Sequence, residues 1–310
     1  MPVKLPEDAL PHITNPNLLS LAHSLILHNP DLNVLRPTDK GHYSPLAELL
    51  QTQMQKYEAA GKLLLPDLSV WGNKSVAIFS DYSGEASGKY YTYSFLICAM
   101  DALGFFRQEM KQLRQKYSLG EKELAFKDFR MGNLRKALPE YLVLLDKYVP
   151  GLLLTVVIDK QLMSVMGGPQ TRETQKELAK IVEKEGFGKR KPAEAEKLCR
   201  VVTIASFLVG LLAHSGQKIF WMTDHDNICA NTDLHNQMLA FFQKAIPLYS
   251  AGEFPLIGGA RPFTERSTDY LDLLSAADLV AGSIEHYLTR RDVMGADKAD
   301  VREGADKLLY

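Results

Sequence analysis

The sequence predicts an α/β fold in which a mixed β-sheet is flanked by helices. Three short apolar runs of β-forming residues each lead straight into an aspartate, at Asp81, Asp159 and Asp224. The first run is followed, after a loop, by a β-like run at residues 90–100, which is the pattern of an antiparallel hairpin. Between the runs, apolar residues recur at helical spacing. Strands interspersed with helices are typical of a sheet covered by helices.

The composition is that of an ordinary globular protein. The chain has 310 residues, of which 46% are hydrophobic and 24% charged, which is enough to form a sizeable core. A formal net charge of -1 excludes a global basic field, so binding of nucleic acid would need a local patch or metal ions. Residues 1–20 lack the apolar core of a secretory signal, and the apolar stretch at residues 201–217 is too short to span a bilayer. We therefore predict a cytoplasmic protein with no membrane association.

Prolines and helical patterns set the beginning of the chain apart from the rest. Prolines punctuate the first 72 residues, and apolar residues at helical spacing predict helices at residues 18–26 and 45–60. The predicted boundaries are residues 1–72 for an N-terminal helical extension, 73–290 for the main domain, 162–215 for a helical insertion within it, and 291–310 for a charged C-terminal tail.

The first half of the main domain opens with the hairpin. Its first strand is expected to stop at Asp81, where small and turn-forming residues begin. Apolar spacing predicts helices at residues 106–117 and 134–148. Between them, residues 123–129 form either a third strand or the start of a helix.

The second half contains two further strands, one buried helix and the last strong helix. Residues 152–158 are apolar at nearly every position, which is typical of a strand covered on both faces. Within the insertion, residues 198–212 are apolar almost all round and predict a buried helix. A strand is expected at residues 218–223, and the last helix at residues 270–288.

Carboxylates that follow strands are expected to meet at one edge of the sheet. Sites in open α/β sheets form outside the carboxyl ends of strands, so Asp81, Asp159 and Asp224 converge if their strands run in the same direction. Each aspartate alone is also explained as a turn residue. Their repetition after three strands favours a site.

The last predicted helix carries a fourth carboxylate on its apolar face. Asp278 follows Leu274 by four residues and precedes Ala281 by three, so all three lie on one face. A carboxylate that faces a core is costly unless it is paired, hydrogen-bonded or bound to a metal. The alternative is an aspartate at the helix edge that reaches solvent or a neighbouring arginine. Glu123 is a fifth candidate, although taken alone it reads as a surface charge.

A cluster of carboxylates suits a hard divalent cation. Oxygen ligands of this type favour Mg²⁺ or Mn²⁺, and two such ions assist phosphodiester cleavage by activating water and stabilising the leaving oxygen. His225 and Asp226 offer an alternative metal pair, although a loop residue or a helix cap is the commoner explanation of such residues.

With these residues in view, the chain resembles a widespread, mostly bacterial family of domains of unknown function that is held to be RNase H-like. Members of that family begin with Asp-Glu-Ser-Gly at a strand end and finish with Ala-Asp-Leu-Val-Ala-Gly in a helix. Here residues 81–84 read Asp-Tyr-Ser-Gly, and residues 277–282 match the second motif fully. Tyr82 therefore stands where the family usually has glutamate, so either the nearby Glu85 substitutes for it or this carboxylate is not needed. The resemblance extends over about residues 75–290.

The resemblance implies an RNase H-like mixed sheet and a metal-dependent nuclease site. The implied catalytic residues are Asp81, Glu123, Asp224 and Asp278. The implied ligands of Mg²⁺ or Mn²⁺ include Asp81, Asp278 and either Asp159 or Asp224. Ser83 and Lys127 are the implied contacts to a nucleic-acid substrate.

Two other functions stay open on the sequence alone. Tyr82 and the absence of a basic excess favour a catalytically inactive binding or assembly module. A phosphatase with Asp81 as nucleophile is less favoured, because Ser83 occupies the place where that chemistry needs a second aspartate. The sequence leaves open the choice between DNA and RNA, and the oligomeric state.

Overall fold

A computed structural model describes residues 27–28, 30–35, 43–85, 88–129, 131–262 and 267–294. The helix predicted at residues 18–26 lies outside these ranges, as does the tail beyond residue 294. All four residues of the predicted carboxylate site lie within them.

The described residues form seven strands and seven α-helices, with short 3₁₀ turns between some of them. In chain order these are β1 (Leu27–His28), α1 (Pro45–Ala59), β2 (Leu65–Pro66), β3 (Ser75–Ser83), β4 (Tyr90–Ala99), α2 (Gly104–Lys116), α3 (Gly132–Tyr148), β5 (Gly151–Asp159), α4 (Arg172–Lys184), α5 (Pro192–Leu212), β6 (Lys218–Thr223), α6 (Thr232–Tyr249), β7 (Ile257–Ala260) and α7 (Thr268–Met294).

Five strands form one mixed sheet, which confirms the predicted α/β fold. The strand order is β5-β4-β3-β6-β7. β4 pairs antiparallel with both β3 and β5, whereas β6 pairs parallel with β3 and β7. Four of the five strands therefore share one direction, and their carboxyl ends lie along the same edge of the sheet.

Helices cover the sheet with a separate apolar cluster on each face. Alternate residues of β3 point to opposite faces. Val76 and Ile78 join a cluster that contains the apolar residues of α5 and α6, whereas Ala77 and Phe79 join a cluster with α2, α3 and α7. Leu46 of α1 lies in the first cluster, so the region predicted as an N-terminal extension contributes to the same core as the sheet. The predicted domain boundaries themselves stay predictions.

Most predicted elements are present close to their expected positions. The hairpin of β3 and β4, the helices α1, α2 and α3, and the strand β6 are all confirmed. α5 is buried on nearly every side, as its composition predicts, but it begins six residues earlier than expected, at Pro192. Proline suits the first turn of a helix, where its missing N–H would have no partner in the helix. α7 is also longer than predicted and continues to Met294.

The prediction that the first strand stops at Asp81 is wrong. β3 continues to Ser83, because its pairing with β4 extends through the Asp81–Ser94 and Ser83–Thr92 pairs. Its pairing with β6 stops earlier, at the Ser80–Thr223 pair. Asp81 is therefore paired with β4 on one side. On the other side it lies one residue beyond the end of the pairing between β3 and β6.

Two further predictions about strands are wrong. Residues 123–129 form irregular backbone and a 3₁₀ turn at Phe126–Asp128, not a strand or an α-helix. β5 is present but lies at the edge of the sheet, and Leu153 and Val157 are 38% and 39% exposed. A continuous apolar run predicts a β-strand, but the elements that pack around the strand decide whether both of its faces are covered.

No helix in the part of the chain that the structure describes is long and apolar enough to cross a membrane. The three cysteines, Cys98, Cys199 and Cys229, are free and buried.

Candidate functional site

Asp81 and Asp224 are neighbours at the carboxyl edge of the sheet. Ser80 and Thr223 form the last residue pair between the parallel strands β3 and β6, and each aspartate is the next residue along the chain. The Asp224 amide donates to the Ser80 carbonyl oxygen at 3.0 Å, which keeps the two chains adjacent beyond that pair. Both carboxylates face the side of the sheet that α7 covers, since Met222 and Phe79 belong to the cluster on that side.

α7 supplies Asp278 and holds the segment that carries Glu123. The Phe126 amide donates to Asp278 Oδ2 at 2.5 Å, and the Leu124 amide donates to Ser275 Oγ at 3.2 Å. Two side chains of one helix therefore accept hydrogen bonds from an otherwise irregular segment. This brings Glu123 to the strand ends.

The small residues of the α7 motif allow close packing against both the sheet and this segment. Thr92 of β4 donates its hydroxyl to the Ala281 carbonyl oxygen at 2.9 Å. A Cβ placed on Gly282 would lie 2.3 Å from Cδ1 of Phe126, well inside van der Waals contact. The helix therefore reaches the Glu123 segment only because residue 282 lacks a side chain.

A buried ion pair anchors the same segment from its other end. Arg114 of α2 is bonded to Asp272 of α7, with Nε 3.0 Å from Oδ1, and both side chains are buried. Nη1 of Arg114 also donates to the carbonyl oxygens of Gly120 and Lys122, each at 2.9 Å. The Tyr141 hydroxyl donates to the Asp272 carbonyl oxygen at 2.6 Å. Glu123 is thus held between two sets of contacts to α7.

Asp81, Glu123, Asp224 and Asp278 lie close enough for their charges to interact, and we call them the carboxylate cluster. Burial, together with the charges of Asp278 and Asp224, raises the pKa of Asp81 well above its usual range. Burial and the same two charges raise the pKa of Glu123 to about 7. Burial and the charge of Asp224 raise the pKa of Asp278 to about 6. Burial also raises the pKa of Asp224.

These raised pKa values predict that the carboxylate cluster destabilises the protein at neutral and alkaline pH. A carboxyl group with a raised folded pKa binds its proton more tightly in the folded state, so stability falls as pH rises from the unfolded value through the folded one. For Asp278 this window runs from 3.8 to about 6. We expect Asp278→Asn, without added metal, to match the wild type near pH 4 and to exceed its free energy of unfolding by about 3 kcal/mol at pH 8. Urea unfolding across this range measures the difference, and a difference that does not vary with pH would contradict the prediction.

The two predicted substrate contacts lie near the cluster. Lys127 is exposed in the 3₁₀ turn, and its positive charge lowers the pKa values of Glu123 and Asp278. Ser83 is half-buried near the end of β3, two residues after Asp81 and therefore on the same side of the strand.

The structure places Asp159 apart from the carboxylate cluster. It lies at the end of β5, two strands from β3, and it pairs with Tyr90, four residues past the Asp81–Ser94 pair. Four residues of strand correspond to roughly 13 Å. Asp159 instead accepts from the Gln161 amide at 2.8 Å and lies 3.7 Å from the Lys89 ammonium. Of the two alternatives, Asp224 is the one that lies with Asp81.

The two residues of the alternative metal pair make contacts with different partners. The exposed His225 ring has Nε2 3.2 Å from the Ala230 carbonyl oxygen. Asp226 is bonded to Lys197 and accepts from the Ile228 amide at 2.9 Å. Asp226 is therefore engaged in holding the turn after β6.

Tyr82 and Glu85 do not extend the carboxylate cluster. Tyr82 points to the opposite face of the sheet, where its ring contacts Tyr93 and lies 5.0 Å from the Lys197 ammonium. Glu85 is bonded to that same ammonium group. A glutamate at position 82 would point away from Asp81, so the tyrosine removes no carboxylate from the cluster.

The carboxylate cluster has the oxygen donors that a divalent cation needs, but its side chains are not positioned to bind one together. Among the described residues, no group of three or more His, Cys, Asp or Glu side chains is arranged to hold a metal ion as it stands. The oxygen donors are nevertheless of the type that Mg²⁺ and Mn²⁺ prefer. Mutual repulsion disfavours close approach of carboxylates without a cation, so binding would require their side chains to move together.

Sequence reasoning missed the two cations that organise the surroundings of the cluster. Arg114 follows Met110 by four residues and so lies on the predicted apolar face of α2, which was an available signal for a buried pair. Lys197 is buried against Asp226 and Glu85 from distant segments, and no local pattern indicates this contact.

The sequence matches no protein-family profile and none of the curated proteins with which it was compared. The resemblance to an RNase H-like family therefore stays a prediction.

Proposed function

We propose that this chain is a Mg²⁺- or Mn²⁺-dependent phosphodiesterase that cleaves nucleic acid. The observation that carries the proposal is the carboxylate cluster, in which four carboxyl groups from separate segments lie together at the carboxyl edge of the sheet and the charges of Asp224 and Asp278 raise the pKa values of Asp81 and Glu123. Burying like charges together is costly, and perturbed carboxyl groups of this kind concentrate at functional sites.

We also propose that the fold is RNase H-like. A mixed sheet of order β5-β4-β3-β6-β7, in which only β4 is reversed, supports this proposal. The position of the carboxylates supports it as well, because the resemblance implies an acidic site formed by the first strand, a later strand and the last helix.

Each residue of the site has a role that follows from its position. When bound, Mg²⁺ or Mn²⁺ would activate a water and stabilise the leaving oxygen. Asp81, Asp224 and Asp278 would supply oxygen ligands from the strand ends and α7, and the half-buried Glu123 would add a fourth carboxylate. Lys127, exposed beside them, binds a phosphate of the substrate.

Calorimetric titration with Mn²⁺ tests the proposal. We expect the wild type to bind Mn²⁺, and Asp81→Asn and Asp278→Asn each to weaken binding by at least about tenfold, because each removes a charged ligand of the same site. Asp278→Asn keeps an oxygen that can accept from the Phe126 amide, so the Glu123 segment should stay in place.

Asp159→Asn is the matched control for this titration. It removes a carboxylate from the same edge of the sheet but outside the cluster, so Mn²⁺ affinity should stay within about twofold of the wild type. Equal losses in all three variants, or no binding by the wild type with or without an oligonucleotide, would overturn the proposal.

A catalytically inactive binding or assembly module is the second candidate. The observation that favours it is that the described carboxylates are not arranged as a metal-ligand set. On this alternative, Asp81→Asn would leave the cellular function of the protein unchanged.

A further inference from the structure

Tyr82 links β3 to β6 on the face of the sheet opposite the carboxylate cluster. Its hydroxyl oxygen lies 2.8 Å from Ser80 Oγ, within hydrogen-bond distance. Thr223 donates its hydroxyl to the same oxygen, also at 2.8 Å. The indole N–H of Trp221 donates to Ser80 Oγ at 2.9 Å, which extends the contact along β6. One phenol thus bonds to a side chain on each of two strands.

The two residues that Tyr82 joins stand immediately before the two aspartates. Ser80 and Thr223 are the last pair of the β3–β6 ladder, and Asp81 and Asp224 follow them. Among the described residues, the backbone hydrogen bond from the Asp224 amide to the Ser80 carbonyl oxygen continues past this pair. The Tyr82 hydroxyl therefore joins β3 to β6 at the point where the pairing of the two strands ends.

The surroundings of Tyr82 keep its ring in this position. The ring centroid lies 5.7 Å from that of Tyr93 and 6.1 Å from that of Phe95. The Lys197 ammonium lies 5.0 Å from the ring and is itself bonded to Asp226, in the turn that follows Asp224. Aromatic packing and a cation over the ring both oppose its displacement.

We propose that Tyr82 is a positioning residue that holds the ends of β3 and β6 together and so sets the separation of Asp81 and Asp224. We call this contact of Tyr82 with Ser80 and Thr223 the strand-end clamp. Its consequence for metal binding rests on the proposed function, whereas its effect on the strands does not.

Hydrogen exchange of the Asp224 amide tests the clamp directly. Tyr82→Phe removes only the hydroxyl, and we expect about tenfold faster exchange of that amide, because the hydrogen bond from Thr223 of β6 to Tyr82 of β3 is lost. Thr223→Val should produce a similar increase, and the double variant should exchange no faster than the faster of the two single variants. Amides in the middle of β6 should be unchanged, which separates a local effect from general destabilisation.

Tyr93→Phe is the matched control. It removes a hydroxyl from another buried tyrosine on the same face, but this hydroxyl bonds to Arg200 at 3.3 Å and joins no strand ends. Asp224 exchange in this variant should equal that of the wild type. Where the wild type binds Mn²⁺, calorimetry should show about tenfold weaker binding by Tyr82→Phe and no change in Tyr93→Phe.

The outcomes separate the clamp from the proposed function. Faster Asp224 exchange in Tyr82→Phe supports the clamp whether or not Mn²⁺ binds, and a wild type that binds no Mn²⁺ would count against the proposed function alone. Exchange that matches the Tyr93→Phe control would overturn the clamp even if Mn²⁺ binds normally.

Discussion

Asp81→Asn is expected to reduce Mn²⁺-dependent cleavage of nucleic acid by about a thousandfold or more. Asp81 is the most buried member of the carboxylate cluster and is electrostatically coupled to the other three. A metal ion contributes several kcal/mol of charge stabilisation to such a reaction, and about 4 kcal/mol corresponds to a thousandfold in rate. Cleavage of labelled single- and double-stranded DNA and RNA measures the effect and identifies the substrate at the same time.

Asp159→Asn controls for this loss of activity. It carries the same chemical change at the same edge of the sheet, so its rate should stay within about twofold of the wild type. Activity that survives unchanged in Asp81→Asn would point to a contaminating nuclease and contradict the proposed site. Loss of activity in both variants would show that the assay reports on stability and not on the cluster.

Arg114→Met is expected to lower the free energy of unfolding by about 3–5 kcal/mol. Removing one partner of a buried ion pair leaves the other charge without compensation in a low-dielectric interior. Here the substitution leaves Asp272 buried and also removes the donor to the carbonyl oxygens of Gly120 and Lys122. Urea unfolding monitored by circular dichroism measures the loss.

Lys116→Met is the matched control on the same helix. Its ammonium group is bonded to Glu140, but the Lys116 side chain is 58% exposed, so we expect a loss below about 1 kcal/mol. The double variant Arg114→Met/Asp272→Leu should recover part of the stability that Arg114→Met loses, because it also removes the buried Asp272 carboxylate that has lost its partner. A loss in Arg114→Met no larger than that in Lys116→Met would show that the buried pair contributes little.

The carboxylates of the site were predicted from the sequence to different degrees. Asp81 and Asp224 follow β-forming runs, and Asp278 lies on an apolar helix face, so short-range patterns predicted each of them as a candidate. Glu123 was the weakest candidate, because taken alone it reads as a surface charge, and the family resemblance supported it. Its local pattern permits a strand, but its segment is irregular because Ser275 and Asp278 of α7 accept its backbone hydrogen bonds. Hydrogen-bond partners about 150 residues away in the chain produce no pattern among neighbouring residues.

The sequence by itself determined the α/β class, the position of most helices and strands, and three of the four clustered carboxylates. These features depend on the period and chemistry of neighbouring residues, which a single chain displays directly. Tertiary structure alone decided that Asp224 and not Asp159 adjoins Asp81, that β5 lies at an edge, and that Tyr82 faces away from the cluster. These features depend on strand order and register, and contacts between distant segments set both.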